Sequence, residues 1–439
     1  MAYIAPWFTT RSMNSKYPSS SPKFWGNIIL LLLVIGHGMF LQAQPTLQQG
    51  FLDTRNFDFK SDKLALSGEW LFFDGQLVSP DDALSSPSTV AYLPQLWNES
   101  KSSGQGYATY LLQVIVSAQS EALALELPQF YSSYQLWVNG KLLAANGKVG
   151  KTRTETTPQW LPQTVSLAIP SDTLNIVIQV ANFHHYKGGL KDPIYLGSNE
   201  LLQHQRSLAV VSNLTESILL GFIGLIFLTL YLITAKKKII IYFALLCLTW
   251  SIRVVFSNLY TFISFFPDFD WDLLVKIEYL TLFLTMIWAI LFLGRVFSKE
   301  DNKIIKYLLV GSNVAFIMYS LLTDPISFTR WLPVYLSVCG LLLVYATVLV
   351  LRALINERLG AGFLTFSILL GIGIFSYDVF AYEGFFDFHP VVFGICYILI
   401  FLLMAVVLLM HLRIIKSKIK PSSRLTFNDL YKDNPPAKF

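Results

Sequence analysis

Cysteine is almost absent. Cys247, Cys339 and Cys396 are the only three in 439 residues, and all lie inside apolar runs. The rest of the chain therefore has no disulfide framework and no thiolate metal site. The three read as small buried hydrophobes. Charge is also scarce: Asp, Glu, Lys and Arg make up 14% of the chain, against roughly 25% in an ordinary soluble protein. The deficit is local. Residues up to about 205 have a soluble composition, and residues 208 to 412 are dominated by apolar runs. The formal net charge of +5 sits mostly in short loops and a tail, which argues against nucleic acid as a partner. Catalytic signatures are missing as well. The chain has no nucleophile elbow, zincin helix, phosphate loop or kinase set, so neither an enzyme nor a cofactor is expected.

Several things are present. Arg11, Lys16 and Lys23 precede an apolar core from Ile28 to Phe40, followed by small and polar residues to Gln44. That is a signal-peptide pattern over residues 1–44, with an uncleaved anchor as the alternative. From Pro45 to about Gly197 short alternating runs are separated by Gly, Pro, Ser and Asp. "LALSGEWLFF", "YATYLLQVIV", "SYQLWVNGKLL" and "LNIVIQVANF" each fit a strand, and Asn139-Gly140 fits a type I′ hairpin turn. No long helix is expected there, and the segment reads as an all-β sandwich over residues 45–200.

From 208 to 412, seven segments are long and apolar enough to span a membrane: Asn213–Thr234, Ile239–Phe262, Leu274–Phe297, Ile304–Leu322, Trp331–Leu351, Gly360–Tyr382 and Val391–His411. The first, third and fifth connections carry Lys236 to Lys238, then Arg295, Lys299, Lys303 and Lys306, then Arg352 and Arg358. The tail, 413–439, is also basic. These face the cytoplasm by the positive-inside rule, so the β domain lies on the far side. A multi-pass membrane location follows, with an exported N-terminal domain and contacts to membrane lipid.

"LSGEWLFFDGQLV", "LPQLWN", "GQGYATYLLQV", "YQLWVNGKLLAANGKVG", "VIQVANFHHYKGGL" and "PIYLG", taken in order, resemble the type-2 extracellular domain of bacterial seven-transmembrane receptors with diverse intracellular signalling modules. The spans that follow match that family's membrane region in number and placement. The resemblance covers about Phe51 to Arg413. It implies a jelly-roll, galactose-binding-like outer domain on an all-α seven-helix bundle, and ligand binding outside that changes a cytoplasmic output module. The tail after Arg413 is too short for such a module. Output is therefore expected to pass to a separate signalling protein, a kinase or regulator. A truncated receptor remnant, or an envelope protein that binds or transports carbohydrate, are the other readings.

Candidate site residues follow in two groups. "NIVIQVANFHHYKGGL" ends a core strand in Asn182, His184, His185 and Lys187. One reading is structural, with Asn182 bonding loop backbone. The other is a small-molecule or carbohydrate site that adds Asn139 and the aromatic faces of Tyr107, Tyr110 and Trp137, with Tyr131 and Tyr134 as further faces. A metal is not expected, because adjacent histidines on an extended segment point to opposite sides. In the membrane, Arg253, Glu278 and Asp378 stand at similar depth. Arg253 is expected to pair with Glu278 or Asp378, either as structure or as a polar switch.

Overall fold

A computed structural model describes residues 46–100, 103–117, 122–167, 171–234, 237–382 and 389–419. The signal-peptide reading of 1–44, the tail beyond 419, Lys236, most of the sixth connection and the side chain of Asp378 lie outside the described residues.

The N-terminal half is a two-sheet β-sandwich. Its strands are β1 (Phe51–Asp53), β2 (Leu64–Ala65), β3 (Gly68–Asp74), β4 (Thr89–Leu93), β5 (Gly106–Ile115), β6 (Leu123–Leu127), β7 (Ser133–Val138), β8 (Lys141–Asn146), β9 (Gln163–Leu167), β10 (Thr173–Asn182) and β11 (Tyr195–Ser198). The large sheet runs β4-β3-β5-β10-β7-β8, with β1 paired parallel to β5, and the small sheet runs β2-β11-β6-β9. Period-2 alternation explains the layers. Leu174, Ile176, Ile178 and Val180 of β10 join Tyr110, Leu112 and Val114 of β5 in the core between the sheets. Val177 and Leu111 point the other way. There Val78 and Ala83 of the β3–β4 connection cover them. That connection is stitched down, as Gln179 Nε2 donates to the Val78 carbonyl at 2.9 Å and the Val78 N–H donates to Thr109 Oγ1 at 3.0 Å. The β7–β8 hairpin turns on Asn139 and Gly140, with φ of 49° and 78°. This is the turn expected of an Asn-Gly pair.

The strand β11 runs directly into a helix. Ser198 caps it, its hydroxyl accepting the Leu201 N–H at 3.2 Å. This helix, Asn199–Ile233, has 35 residues and spans roughly 52 Å at 1.5 Å per residue. The sequence placed the first span at Asn213 and left 201–207 between domains; those residues are helix too. With the single turn Trp97–Ser100 as α1, the helices are α2 (Asn199–Ile233), α3 (Lys238–Phe256), α4 (Thr261–Phe265), α5 (Trp271–Val296), α6 (Lys303–Leu322), α7 (Pro325–Thr329), α8 (Leu332–Ile355), α9 (Ala361–Tyr382) and α10 (Pro390–Ile419).

Among the described residues six helices, α2, α3, α5, α6, α8 and α10, are long and apolar enough to cross a membrane. Ala361–Tyr377 of α9 is a shorter apolar stretch. The second span was expected to reach Phe262, but α3 stops at Phe256. Asn258 and Tyr260 take left-handed φ of 58° and 47°, which no helix continues through. The bundle core gathers Leu220, Phe243, Phe292, Leu349, Phe401 and Leu408. Cys247 is buried there as expected, whereas Cys339 and Cys396 are only half-buried.

Candidate functional site

The exit of β10 is built around one side chain. Asn182 is fully buried. Its Nδ2 lies 2.7, 2.9 and 2.8 Å from the carbonyls of Gly104, His185 and Lys187. Its Oδ1 accepts the His184 and His185 N–H groups at 3.3 and 3.0 Å. A buried backbone group without a partner costs free energy, and the two N–H groups and one oxygen of this asparagine are shared among five of them. Asn98 does the same from another segment. Its Nδ2 donates to the Tyr186 carbonyl at 3.0 Å and its Oδ1 accepts the Gly188 N–H at 3.2 Å. "LPQLWN", "GQGYATY" and "HHYKGGL" are thus three walls of one loop structure.

Two glycines make the close approach possible. A Cβ on Gly188 would stand 1.9 Å from the Gly104 carbonyl oxygen, and one on Gly104 would stand 2.3 Å from that of Tyr186. Backbone, not a flexible side chain, is in the way. Gly188→Ala is therefore expected to unseat the loop at a cost of about 2–3 kcal/mol. Limited proteolysis should then cut within 183–190, where the unsubstituted chain resists.

The loop faces the helices. The Tyr186 N–H donates to Thr329 Oγ1 of α7 at 3.3 Å. Gln159 Nε2 donates to the Pro267 carbonyl at 2.7 Å, and Arg153 pairs with Asp324 at 3.1 Å on the exposed rim. Inside the rim lies an aromatic cluster. His185 stacks on Tyr131 with ring centres 4.9 Å apart and meets the Trp160 edge at 5.4 Å. Trp160 in turn touches Tyr260 at 5.4 Å and Trp271 at 5.3 Å. Tyr260, held left-handed between α3 and α4, has its hydroxyl 2.9 Å from Gln129 Oε1 and 3.3 Å from Glu278 Oε2. The Arg253 guanidinium reaches the Glu278 backbone carbonyl at 2.8 Å. A continuous packed path therefore runs from the sandwich to α3 and α5.

Electrostatics at the loop are set by burial. His185 Nδ1 lies 3.0 Å from the Lys187 amide nitrogen and 3.2 Å from the Lys187 carbonyl, accepting from the first or donating to the second according to its tautomer. Burial pushes its pKa down to about 3, so the ring is neutral. Burial, then nearby Arg153, lowers His184 also, and burial lowers Lys187. Among the described residues His185 Nε2, His184 Nδ1, Trp160 Nε1 and Trp271 Nε1 are all buried without a hydrogen-bond partner. Beside them a cavity of about 530 Å³ opens between Gly147, Gln159 and His184 of the sandwich and Asp268, Trp271 and Asp272 of the bundle.

The residues read from sequence fall in several places. Asn182, His184, His185 and Lys187 come together, but Asn182 and His185 are turned inward to protein partners. Tyr110 is a core residue whose phenol oxygen accepts the Trp97 indole N–H at 2.7 Å. Asn139 is spent on its hairpin, donating to the Thr173 carbonyl at 2.9 Å and accepting the Asn175 N–H at 2.7 Å. Trp137 packs against the cluster under the β3–β4 connection. Tyr107 lies 6.5 Å from Phe183, and Tyr134 stacks on Phe130 in the core. Of the aromatic faces weighed, Tyr131 is the one that meets the histidines. In the membrane, Arg253 meets Glu278 through its carbonyl, where a carboxylate partner was expected.

Three polar groups were missed. Glu216 of α2 is buried and accepts the Trp250 indole N–H at 2.8 Å; an acidic residue at the edge of an apolar run was its signal. At the end of the bundle away from the sandwich, Glu300 accepts from Arg358 Nε at 2.6 Å. Asp301 there pairs with Lys306 and accepts from the Tyr345 hydroxyl at 2.7 Å. In the sequence Lys306 and Arg358 signal only topology.

Solved structures with local likeness to this chain include three glycoside hydrolases. A β-glucuronidase of Bacteroides uniformis is 15% identical over 31% of this chain and 17% of its own, with a TM-score of 0.26. A β-galacturonidase of Eisenbergiella tayi is 15% identical over 31% and 24%, TM-score 0.24, and a Faecalibacterium prausnitzii β-glucuronidase 14% over 31% and 31%, TM-score 0.25. The chain spans less than a third of each, and no activity passes across such a likeness. No curated protein matches the chain. The helical region does have a match: residues 213–412 fit the model described as 7TM diverse intracellular signalling. Taken with the apolar helices, the chain is a multi-pass membrane protein whose helical region, residues 213–412, matches that signalling family.

Proposed function

We propose that this protein is an envelope receptor whose sandwich responds to a small polar or carbohydrate ligand and passes its state through the bundle to a separate cytoplasmic signalling protein. The sandwich would lie in the periplasm or outside the cell, and the basic loops in the cytoplasm. One observation carries the reading. The sandwich meets the bundle through a buried aromatic and polar path, Tyr131–His185–Trp160–Tyr260–Glu278, in addition to the covalent β11–α2 junction. A mere tether needs only the covalent link. A packed path lets one state of the sandwich favour one state of the helices, which is what a relay requires.

The test needs no ligand. Tyr260→Phe keeps the ring and removes the hydroxyl shared by Gln129 and Glu278. Hydrogen exchange of the full chain in lipid nanodiscs is then compared with the unsubstituted chain. A relay predicts altered exchange, by about threefold or more, at the distant connections 297–303 and 355–361 as well as locally. A change confined to 257–272 would sink the reading.

A further inference from the structure

We infer that Glu300 and Arg358 form a latch at the end of the bundle away from the sandwich, and that its release frees the last helix for output. The inference deepens the receptor reading and rests on it only for what triggers release, since the latch itself is a separate matter.

The latch joins two connections, 297–302 between α5 and α6 and 356–360 between α8 and α9. The Glu300 side chain is only 4% exposed. Its Oε1 accepts from Arg358 Nε at 2.6 Å and from Asn356 Nδ2 at 3.3 Å, and both donors belong to the second connection. Among the described residues no other hydrogen bond or ion pair joins the two connections. Taking a carboxylate out of water is costly, and a buried pair adds little net stability over apolar packing. It does make the arrangement all-or-none, because parting the two groups strands a charge.

The two sides of the latch are not equally fixed. On the first, Asp301 pairs with Lys306 and accepts from the Tyr345 hydroxyl at 2.7 Å, and the phenol oxygen accepts the Asn302 N–H at 2.9 Å. On the second, Glu357 stands between the two donors with φ of 51°. It fills the left-handed position of a helix cap. The Glu357 N–H donates to the Leu354 carbonyl at 3.0 Å and the Arg358 N–H to that of Ala353 at 2.9 Å. Glycine is the usual residue at such a position, and a side chain there adds strain. The α8–α9 connection is therefore the side poised to move.

That connection also holds α10. A Cβ on Gly360 would stand 2.7 Å from Val407 Cγ1. Phe297 of the first connection meets His411 edge-on, with ring centres 6.5 Å apart. Residues 407 and 411 are one turn apart on one face of a helix. While latched, the two connections grip α10 together.

Hydrogen exchange of the full chain in lipid nanodiscs tests the latch with two variants. Arg358→Gln removes the cation and strands Glu300. Arg358→Gln combined with Glu300→Gln removes both charges, so opening in that variant is not the cost of a stranded carboxylate. Both should raise exchange by about tenfold at 355–361 and about threefold at 405–411, with 213–230 unchanged. Glu357→Gly relieves the left-handed strain and should slow exchange at 355–361 by about threefold. Unchanged exchange at 405–411 in both charge variants, a rise spread evenly over the bundle, or no slowing with Glu357→Gly would each overturn the latch. Tyr260→Phe is recorded alongside. If the charge variants open the turn and Tyr260→Phe leaves 355–361 unchanged, the latch stands and the relay fails.

Discussion

Asn182→Ala should cost about 4 kcal/mol of stability and detach the loop 183–190 from the helices. Five backbone partners within 3.3 Å lose their bonds, and most sit where little water reaches. Each net hydrogen bond is worth about 1 kcal/mol, and an orphaned buried group costs about 1–3 kcal/mol, so partial relaxation brings the sum to the stated size. Asn182→Asp keeps the shape and the acceptor but loses the donors to three carbonyls; it should be nearly as damaging. The unfolding midpoint of the full chain, with proteolysis at 183–190, measures both. A loss under about 1 kcal/mol would mean that the loop is held by the Asn98 and glycine contacts alone.

The second large effect is on acid stability. His185 is neutral because burial has pushed its pKa to about 3, while the unfolded chain titrates near 6.5. Between those values the unfolded state binds the proton and the folded state does not. Stability is therefore complete above pH 6.5 and falls as pH drops toward about 3, by about 1.4 kcal/mol per unit, or about 2 kcal/mol from pH 6.5 to 5. The ring is enclosed by Tyr131 and Trp160, and Lys187 nearby adds repulsion to the protonated form. His185→Phe keeps a stacking ring and removes the titration. Its unfolding midpoint should be lower at pH 7, from the lost bond to the Lys187 backbone, but flatter between pH 6.5 and 5. Parallel pH profiles for the two proteins would show that His185 is not kept neutral.

Much of the architecture was legible because it rests on local periodicity. The strand pattern, the Asn-Gly turn and the apolar spans each occupy a few to twenty-odd consecutive residues, and hydrophobic spacing reports them directly. Element ends were less legible. The first span begins at Asn199 because Ser198 caps it, and a polar helix that continues out of a membrane looks in sequence like a linker. The second ends at Phe256 because Asn258 and Tyr260 turn left-handed, which residue type alone does not announce for a tyrosine.

The sequence by itself determined that a β-sandwich would precede an apolar helical bundle, and that Asn182 and its histidines would close a core strand. Only the tertiary structure decided what that cluster does. Its partners are remote: Gly104 lies 78 residues away, Asn98 lies 88 from Tyr186, and Thr329 lies 143 from Tyr186. Apolar spacing carries information about which face is buried, but the identity of a hydrogen-bond partner depends on where distant backbone arrives. Two glycines and one asparagine draw the loop tight and turn it toward the helices, with His184 and Trp271 lining the open space beside it.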